Sequence, residues 1–262
     1  LFDSVLIEGF QPENVTTHGS ILMQGNESVK MIVHNNPTCM IHLSGNNTTV
    51  SFLLSSETSA QEMETEGDLD DAYRISNCGI TGIIGVGNGS IALDEGNETY
   101  LNVTVEEGQA FFRMTPYFSS VGVSNELQVE TAISRGNVCA EMSVMVREGD
   151  AMGVTQQFQE QYRMRMVTAE EDLIKVEISS EKREGKVAMI KFDPETLNAS
   201  KELEVKMDGQ EIAQAESLKQ VLSATGSQTE DARYFLLEGE EYSQIMVYVP
   251  HFSTHTLDIS AD

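Results

Sequence analysis

Alternation of apolar and polar residues at a period of two is the feature that most constrains the fold of this chain. In the segment 99–105, Leu101, Val103 and Val105 share one face and polar residues occupy the other, which is the pattern of a half-buried strand. The segment 48–54 is β-branched and apolar, as is typical of strands. Turn pairs recur between such segments, at Gly25-Asn26, Gly45-Asn46, Gly87-Asn88-Gly89, Glu95-Gly96-Asn97 and Glu107-Gly108. We therefore expect a mainly β protein, built as a β-sandwich or as stacked sheets.

Two changes of pattern divide the chain. Residues 55–72 are polar and acidic with little periodicity, which predicts a long exposed loop. A second change near residue 168 separates a part with seven glycosylation sequons and all three cysteines from a part richer in Lys and Glu. The sequence thus predicts a β-rich N-terminal domain over 1–167, containing the acidic loop 55–72, and a smaller β-rich C-terminal domain over 168–262.

Smaller elements are also predicted on each side of that boundary. Apolar side chains on the even positions of 156–166 suggest one long strand. In the C-terminal domain, one short helix is expected over 215–224, where Leu218, Val221 and Leu222 form a single stripe and Gly226 ends it.

The charge of the chain excludes several classes of partner. Lys and Arg number 16 against 42 Asp and Glu, a formal net charge of −26. Such a chain repels the phosphates of nucleic acids and anionic membrane surfaces. No apolar run approaches the roughly 20 residues of a membrane-spanning helix, so direct membrane insertion is not expected. Hydrophobic residues reach 40%, which is enough to form a folded core.

Sequons for N-glycosylation favour an extracellular location at the cell surface or in the cell envelope. The Asn-x-Ser/Thr pattern occurs at Asn14, Asn26, Asn46, Asn47, Asn88, Asn97, Asn102 and Asn198. An alternative is that turns rich in Asn and Gly produce the pattern by accident. The chain starts at Leu1, as expected of a mature secreted protein whose signal peptide has been removed.

The cysteines leave two interpretations open. Cys39, Cys78 and Cys139 are an odd number and include no Cys-x-x-Cys pair, so a zinc knuckle or a thioredoxin motif is not expected. In an oxidising compartment, one internal disulfide and one buried cysteine would account for three residues. The other interpretation is a disulfide between two subunits.

No catalytic constellation is apparent, and the chain is not expected to be an enzyme. His251 and His255 would lie about 13 Å apart on an extended chain, too far to share an ion, so a hydrogen-bonded closing turn is the favoured interpretation. His34 and His42 flank Cys39, but nothing else supports a Cys/His nucleophile pair. The glycine-rich strand 80–91 lacks the spacing of a nucleotide-binding loop. It is either an edge that pairs with another copy or a buried central strand.

No organic cofactor is expected, and Ca²⁺ or another divalent cation is the one candidate ligand. The carboxylates of the acidic loop 55–72 could supply the oxygen atoms that such a cation prefers. The loop does not match the calcium-binding pattern of EF-hands, and a merely solvated acidic loop is the alternative.

The last ninety or so residues resemble a C-terminal domain found in archaeal cell-surface proteins, especially those of methanogens. The matching elements are a strand at 174–179, a Gly-Lys turn and strand at 185–192, Val205-Lys206-Met207-Asp208-Gly209-Gln210-Glu211, a Leu-rich helix at 217–222, and a final strand running into Pro250-His251-Phe252-Ser253-Thr254-His255. The closing Pro-His-Phe-Ser-x-His motif is the most specific part. No comparable resemblance covers residues 1–167.

This resemblance implies an archaeal envelope protein. We expect a structural subunit that polymerises with copies of itself into a sheath, an S-layer or a filament, through strand edges and disulfides. The alternative is a monomeric extracellular adhesin or ligand-binding ectodomain.

Overall fold

The structure is a computed structural model of all 262 residues. It describes the chain except for residues 9, 11–13, 18–20, 25–28, 35–39, 66–68, 115–122, 148–149, 160, 226–230, 240–241 and 262. The chain is mainly β, with 66% of residues in strands and 6% in helices, which confirms the predicted fold class. It divides into two compact units, Leu1–Pro116 and Tyr117–Asp262.

The first unit is a single antiparallel sheet of nine strands within the described residues. The strand order is β2-β3-β4-β5-β9-β8-β7-β6, and β1 pairs with β5. The strands are β1 (Phe2–Ile7), β2 (Asn14–Thr17), β3 (Ile21–Gln24), β4 (Lys30–His34), β5 (Met40–Leu54), β6 (Ser59–Glu62), β7 (Asp71–Asn77), β8 (Ile80–Glu95) and β9 (Thr99–Met114).

This sheet folds over on itself because β5, β8 and β9 are long enough to run through two layers. One edge of β5 pairs first with β4 and then, beyond residue 49, with β1. The ladder is irregular between these halves, where Asn47 and Asn88 adopt positive φ angles of 49° and 61°. A side chain at Gly89 would overlap the carbonyl oxygen of Thr104, so only glycine fits there. The second half of the fold, here called the four-stranded layer, contains β1 and residues 48–54, 89–95 and 99–105.

The two layers of the first unit share one core. Along β5, buried residues change from odd positions, such as Ile41 and Leu43, to even positions, such as Val50. The Phe2 ring joins the layers, since its centroid lies 5.0 Å from that of Phe52 and 4.7 Å from that of Phe112. Three predicted turns, at 45–46, 87–89 and 107–108, are therefore bends inside continuous strands, whereas Glu95-Gly96-Asn97 does join two strands.

The second unit stacks two separate sheets. The six-stranded sheet has the order β11-β10-β14-β19-β18-β17, and the five-stranded sheet has the order β12-β13-β20-β15-β16. The elements are α1 (Val123–Ser134), β10 (Val138–Arg147), β11 (Asp150–Gln157), β12 (Tyr162–Glu170), β13 (Leu173–Ser180), β14 (Lys186–Phe192), β15 (Leu203–Met207), β16 (Gln210–Glu211), β17 (Ala213–Gln214), α2 (Leu218–Leu222), β18 (Arg233–Leu237), β19 (Ser243–Val249) and β20 (Thr254–Ala261). Pairing is parallel for β10 with β14 and for β17 with β18.

A single apolar core fills the space between these two sheets. It includes Ile190 and Val247 from the six-stranded sheet and Val176 and Ile259 from the five-stranded sheet. Every residue of β19 is buried, because α2 contacts β18 and β19 on the side away from the second sheet. Helix α2 is shorter than the predicted 215–224, but Leu218, Val221 and Leu222 are its buried residues, as expected. Gly226 lies outside the described residues.

The division of the chain differs from the predicted boundary at 167/168. Strands β10 to β12 come before residue 168, yet β10 pairs with β14 and β12 pairs with β13, so they belong to the second unit. The predicted long strand over 156–166 is wrong, because β11 and β12 belong to different sheets. The helix α1 was not predicted at all.

The predicted loop 55–72 is also corrected in part. It contains the strand β6, which forms a hairpin with β7. Its Asp70 and Asp71 carboxylates accept hydrogen bonds from the backbone N–H groups of Gly89 and Ile91, at 3.0 and 2.8 Å. These carboxylates therefore protect an edge of the four-stranded layer that would otherwise expose free amides.

Candidate functional site

The two described cysteines differ completely in accessibility. Cys78 is exposed at the apex of the β7–β8 hairpin, beside Ile80, whose surface is 48% exposed. Cys78 and Gly79 have φ angles of 49° and 82°, as in the type I′ turn that suits a tight hairpin. Cys139 is fully buried in β10, and this burial raises the pKa of its thiol to about 12. Because the thiolate is the reactive form, Cys78 rather than Cys139 is available to another molecule.

Both of these cysteines are free, so Cys78 and Cys139 do not form an internal disulfide with each other. Cys39 lies outside the described residues. Two histidines, His34 and His42, are the candidate partners of Cys39, and only His42 has a described side chain. Its Nε2 lies 3.1 Å from the Gln109 side-chain oxygen. This contact gives His42 a structural partner in the adjacent strand β9.

Five sequon asparagines of the first unit lie in or beside the four-stranded layer. Asn46, Asn47 and Asn88 are exposed at the bend, and Asn97 is exposed at the β8–β9 turn. Asn102 lies in the middle of the layer and is only partly exposed. Its side-chain oxygen accepts a hydrogen bond from the Ser51 hydroxyl at 2.6 Å.

The remaining sequons are less informative. The Asn198 side-chain oxygen accepts a hydrogen bond from the backbone N–H of Ser200 at 3.1 Å. Asn14 begins strand β2, and Asn26 lies outside the described residues. The exposed positions at 46, 47, 88 and 97 are thus the described sequons with the most room for a glycan.

The closing motif forms a hydrogen-bonded clasp with the Asp208-Gly209 turn between β15 and β16. His255 Nδ1 donates to the Asp208 carboxylate at 2.6 Å, and the backbone N–H of Thr256 donates to the other carboxylate oxygen at 2.9 Å. His255 Nε2 lies 2.6 Å from the carbonyl oxygen of His251. The segment 251–255 is therefore turned, which corrects the expected extended spacing of 13 Å and gives the expected hydrogen-bonded turn. The clasp joins two parts of the chain that are 47 residues apart.

Within the clasp, Ser253, His255 and Asp208 are connected in the order of a Ser-His-Asp triad. The Ser253 hydroxyl oxygen lies 3.2 Å from His255 Nε2. In a hydrolase, that nitrogen must accept the serine proton. A carbonyl only accepts hydrogen bonds, and His255 Nε2 lies closer to the His251 carbonyl oxygen, at 2.6 Å, than to the Ser253 hydroxyl, at 3.2 Å. The carbonyl therefore competes with Ser253 for this nitrogen.

Opposing influences act on the Asp208 carboxyl. Partial burial by itself would raise its pKa, but hydrogen bonds from His255 and from the N–H of Thr256, together with the charge of His255, hold the pKa below its ordinary value. The carboxylate is thus favoured in the folded chain, as expected for an acid that binds two donors.

Packing beneath the clasp fixes the rest of the closing motif. The ring of Phe252 is 2% exposed and meets Tyr162 edge to face, with centroids 4.8 Å apart. A side chain at Gly185 would overlap the Tyr248 hydroxyl. The strands that carry the resemblance are therefore in mutual contact, through the pairing of β13 and β15 with β20 and of β14 with β19.

A polar groove of about 500 Å³ opens beside the closing motif. It is lined by Gln161, Arg163, Ser179, Ser180, Glu181 and Thr254. Arg163 lies opposite Ser179, and Ser179 lies opposite Thr254, in neighbouring strands. The lining thus combines one cation, Arg163, one carboxylate, Glu181, and the hydroxyls of Ser179, Ser180 and Thr254.

Neither a metal site nor a membrane span stands out in the part of the chain that the structure describes. There, no three His, Cys, Asp or Glu side chains converge as metal ligands would. Of the helices seen there, none has the length and apolar character needed to cross a bilayer.

Comparisons with known proteins give no family assignment. No family model matches the chain, and no curated protein is found to be related to it. The resemblance of the C-terminal region to archaeal surface proteins therefore stays a prediction.

Proposed function

We propose that this protein is a structural subunit of an archaeal cell envelope. In this proposal the chain is secreted and glycosylated, and copies of it assemble into a sheath, an S-layer or a filament. The contacts between copies involve strand edges and a disulfide at Cys78. Divalent cations screen the repulsion between chains that each carry a charge of −26.

The position of Cys78 is the observation that carries the proposal. An exposed thiol at the tip of the β7–β8 hairpin, next to an exposed isoleucine, is placed to meet the same hairpin or another surface of a neighbouring copy. Unpaired exposed cysteines are otherwise a liability in an oxidising compartment, because they form unwanted disulfides. Cys139 is shielded from this chemistry by its burial.

Electron microscopy of the protein extracted from cells, with and without a reductant, tests the proposal. We expect ordered sheets, tubes or filaments that are weakened by reductant, and a cross-linked band on non-reducing electrophoresis. The Cys78→Ser variant should lose that band, whereas Cys139→Ser, the matched control, should keep it. Discrete monomers under every condition would refute the structural role, and unchanged polymers after exhaustive chelation in low salt would refute the role of cations.

A ligand-binding ectodomain is the second candidate, and the groove beside the closing motif favours it. Arg163 suits the anionic group of a ligand, and the hydroxyls of the lining and the Glu181 carboxylate suit its hydroxyl groups. Glucuronate should then raise the thermal midpoint of the wild-type chain more than glucose does. Loss of that difference in Arg163→Ala would support the site, and equal midpoints with both sugars in the wild type would exclude it.

A further inference from the structure

The outer surface of the four-stranded layer is almost free of charge. Inward residues of this layer, such as Val50 and Val103, are buried in the core, so their neighbours in sequence point outward. The strand registers bring these outward residues into rows across β1, β5, β9 and β8. We call them the neutral face: Ser4, Leu6, Thr49, Ser51, Leu53, Ser90, Ala92, Asp94, Tyr100, Asn102 and Thr104. Asp94 is the one carboxylate among these eleven residues, and Asp3, exposed at the irregularity of β1 between Phe2 and Ser4, adds a second carboxylate at the edge of the face.

Polar groups in the middle of the neutral face bond to each other. The hydroxyl oxygens of Thr49 and Thr104 lie 3.2 Å apart across β5 and β9, and Ser51 donates to Asn102 at 2.6 Å. These cross-strand pairs already satisfy part of the hydrogen-bonding capacity of each side chain. Covering the face with another surface therefore costs less desolvation than covering free polar groups.

Carboxylates surround this face rather than occupy it. Glu95 and Glu98 are exposed at the β8–β9 turn, and Glu106 and Glu107 are exposed at the bend. Tyr100 at the margin donates its hydroxyl hydrogen to Glu98 at 2.7 Å. In a chain with a net charge of −26, two copies approach most easily where neither presents a carboxylate at the centre of the contact.

We propose that the neutral face is a contact surface between two copies of this chain. The proposal rests on the self-assembly described under the proposed function. The face measures about 19 Å across four strands and about 20 Å along them, or about 400 Å² per copy. That is about half of what a stable isolated dimer buries per partner, so the contact acts together with others in a polymer, where linked contacts reinforce each other.

Asn102 gives this proposal a consequence of its own. It lies in the central row, between Ser51 and Ala92. A glycan on Asn102 would hold the face away from any second copy, whereas glycans at the margins, on Asn97 or Asn88, would leave it open. In assembled protein the Asn102 sequon is therefore unmodified.

Adding a single negative charge to the face tests the contact. We expect Thr104→Glu to raise the concentration needed for assembly of the full chain at least tenfold. Thr168→Glu adds the same charge to a partly exposed position opposite Lys175 in the five-stranded sheet, outside the groove and the clasp, and should leave assembly unchanged. Thr104→Ser keeps the hydroxyl and should assemble as the wild type does. Ala92→Glu, on an exposed edge position, repeats the test if Thr104→Glu does not fold.

Glycopeptide mass spectrometry of the native polymer supplies a second readout. An Asn102 peptide without sugar is the expected result, and a glycan on Asn102 in assembled protein would overturn the proposal. If the wild-type chain assembles and Thr104→Glu and Ala92→Glu assemble equally well, this inference is overturned but the proposed function is not. Wild-type chains that never assemble would overturn the proposed function together with it.

Discussion

The outer faces of two sheets in this molecule are built in opposite ways. On the four-stranded layer of the first unit, outward residues are mostly hydroxyls, amides and apolar groups, with Asp94 and, at the edge, Asp3 as exposed carboxylates. On the five-stranded sheet of the second unit, opposite charges face each other across strands, with Arg165 3.1 Å from Glu177 and Lys175 3.1 Å from Asp258. Both sheets bury one face in an apolar core, so the inward residues account for the fold and the outward residues are free to differ in charge.

The supports of the two faces also differ. The four-stranded layer depends on a bend within long strands, where glycine and residues of positive φ permit close backbone contact. The five-stranded sheet depends on the closing motif, which ties β20 to the β15–β16 turn and packs Phe252 against Tyr162. Substitutions in the bend should lower the stability of the first unit alone, and substitutions in the closing motif should lower that of the second unit alone.

Truncation of Phe252 should have the largest effect. Phe252→Ala removes a buried ring and leaves a cavity against Tyr162, which costs about 3–5 kcal/mol of unfolding free energy. The loss should appear in the transition of the second unit when denaturant unfolding is followed by circular dichroism and by limited proteolysis. His251→Ala is the control, since its side chain is exposed and only its carbonyl takes part in the clasp. A loss below about 1 kcal/mol for Phe252→Ala would show that the motif does not hold this sheet.

A methyl group at Gly89 should be the next most harmful change. It would overlap the Thr104 carbonyl oxygen, and a paired backbone has little freedom to move away, so Gly89→Ala should cost about 3 kcal/mol. Gly96→Ala is the matched control, because the nearest atom to its added carbon is 3.7 Å away. Thermal unfolding of both variants decides the point, and equal midpoints would mean that the bend tolerates a side chain.

Acid should weaken the clasp. The pKa of Asp208 is lower in the folded chain than its ordinary value, so its contribution is present above that ordinary value and is lost as the pH falls through the folded pKa. Asp208→Asn removes the charge, and asparagine tolerates the positive φ of 53° at this position. The variant should be less stable than the wild type near neutral pH, and the difference should shrink toward pH 2.

Denaturant titrations at a series of pH values measure this effect. Asp94→Asn is the control, because Asp94 is exposed on the neutral face and outside the clasp. A stability difference between wild type and Asp208→Asn that stays constant from neutral pH to pH 2 would contradict the assignment of the lowered pKa to the clasp.

Much of the fold follows from the sequence, and the exceptions have physical causes. Alternation at 99–105 predicts a strand that is present, because period-two burial is a local property. Asn-Gly and Gly-Asn pairs do not reveal whether a strand ends or bends, since both need the same backbone angles. The predicted boundary at 167/168 separates β10 from its partner β14. Local sequence patterns do not reveal this pairing, because it joins residues about fifty positions apart.

The candidate sites show the same limit. The sequence identifies Cys78 and Cys139 as candidates alike, but only the tertiary structure separates an exposed hairpin tip from a buried strand. Asp208 and His255 both belong to the elements of the resemblance, yet their contact depends on the folding of β20 beside β15. The neutral face was not anticipated, because it depends on the register of four strands. A count of charges on outward positions, once strand pairing is known, would have found it.

Removal of one ion pair from the charged face should have the smallest effect. Arg165 is 67% exposed in its side chain, and exposed pairs of this kind contribute about 0.2–1 kcal/mol. Arg165→Ala should therefore change the unfolding free energy by less than about 1 kcal/mol, and 1 M salt should abolish the difference because the charges are then screened. If Arg165→Ala loses as much unfolding free energy as Phe252→Ala, or if its loss persists in 1 M salt, the ion pairs contribute substantially to the stability of the sheet. The contrast between a solvated face and a contact face would then no longer hold.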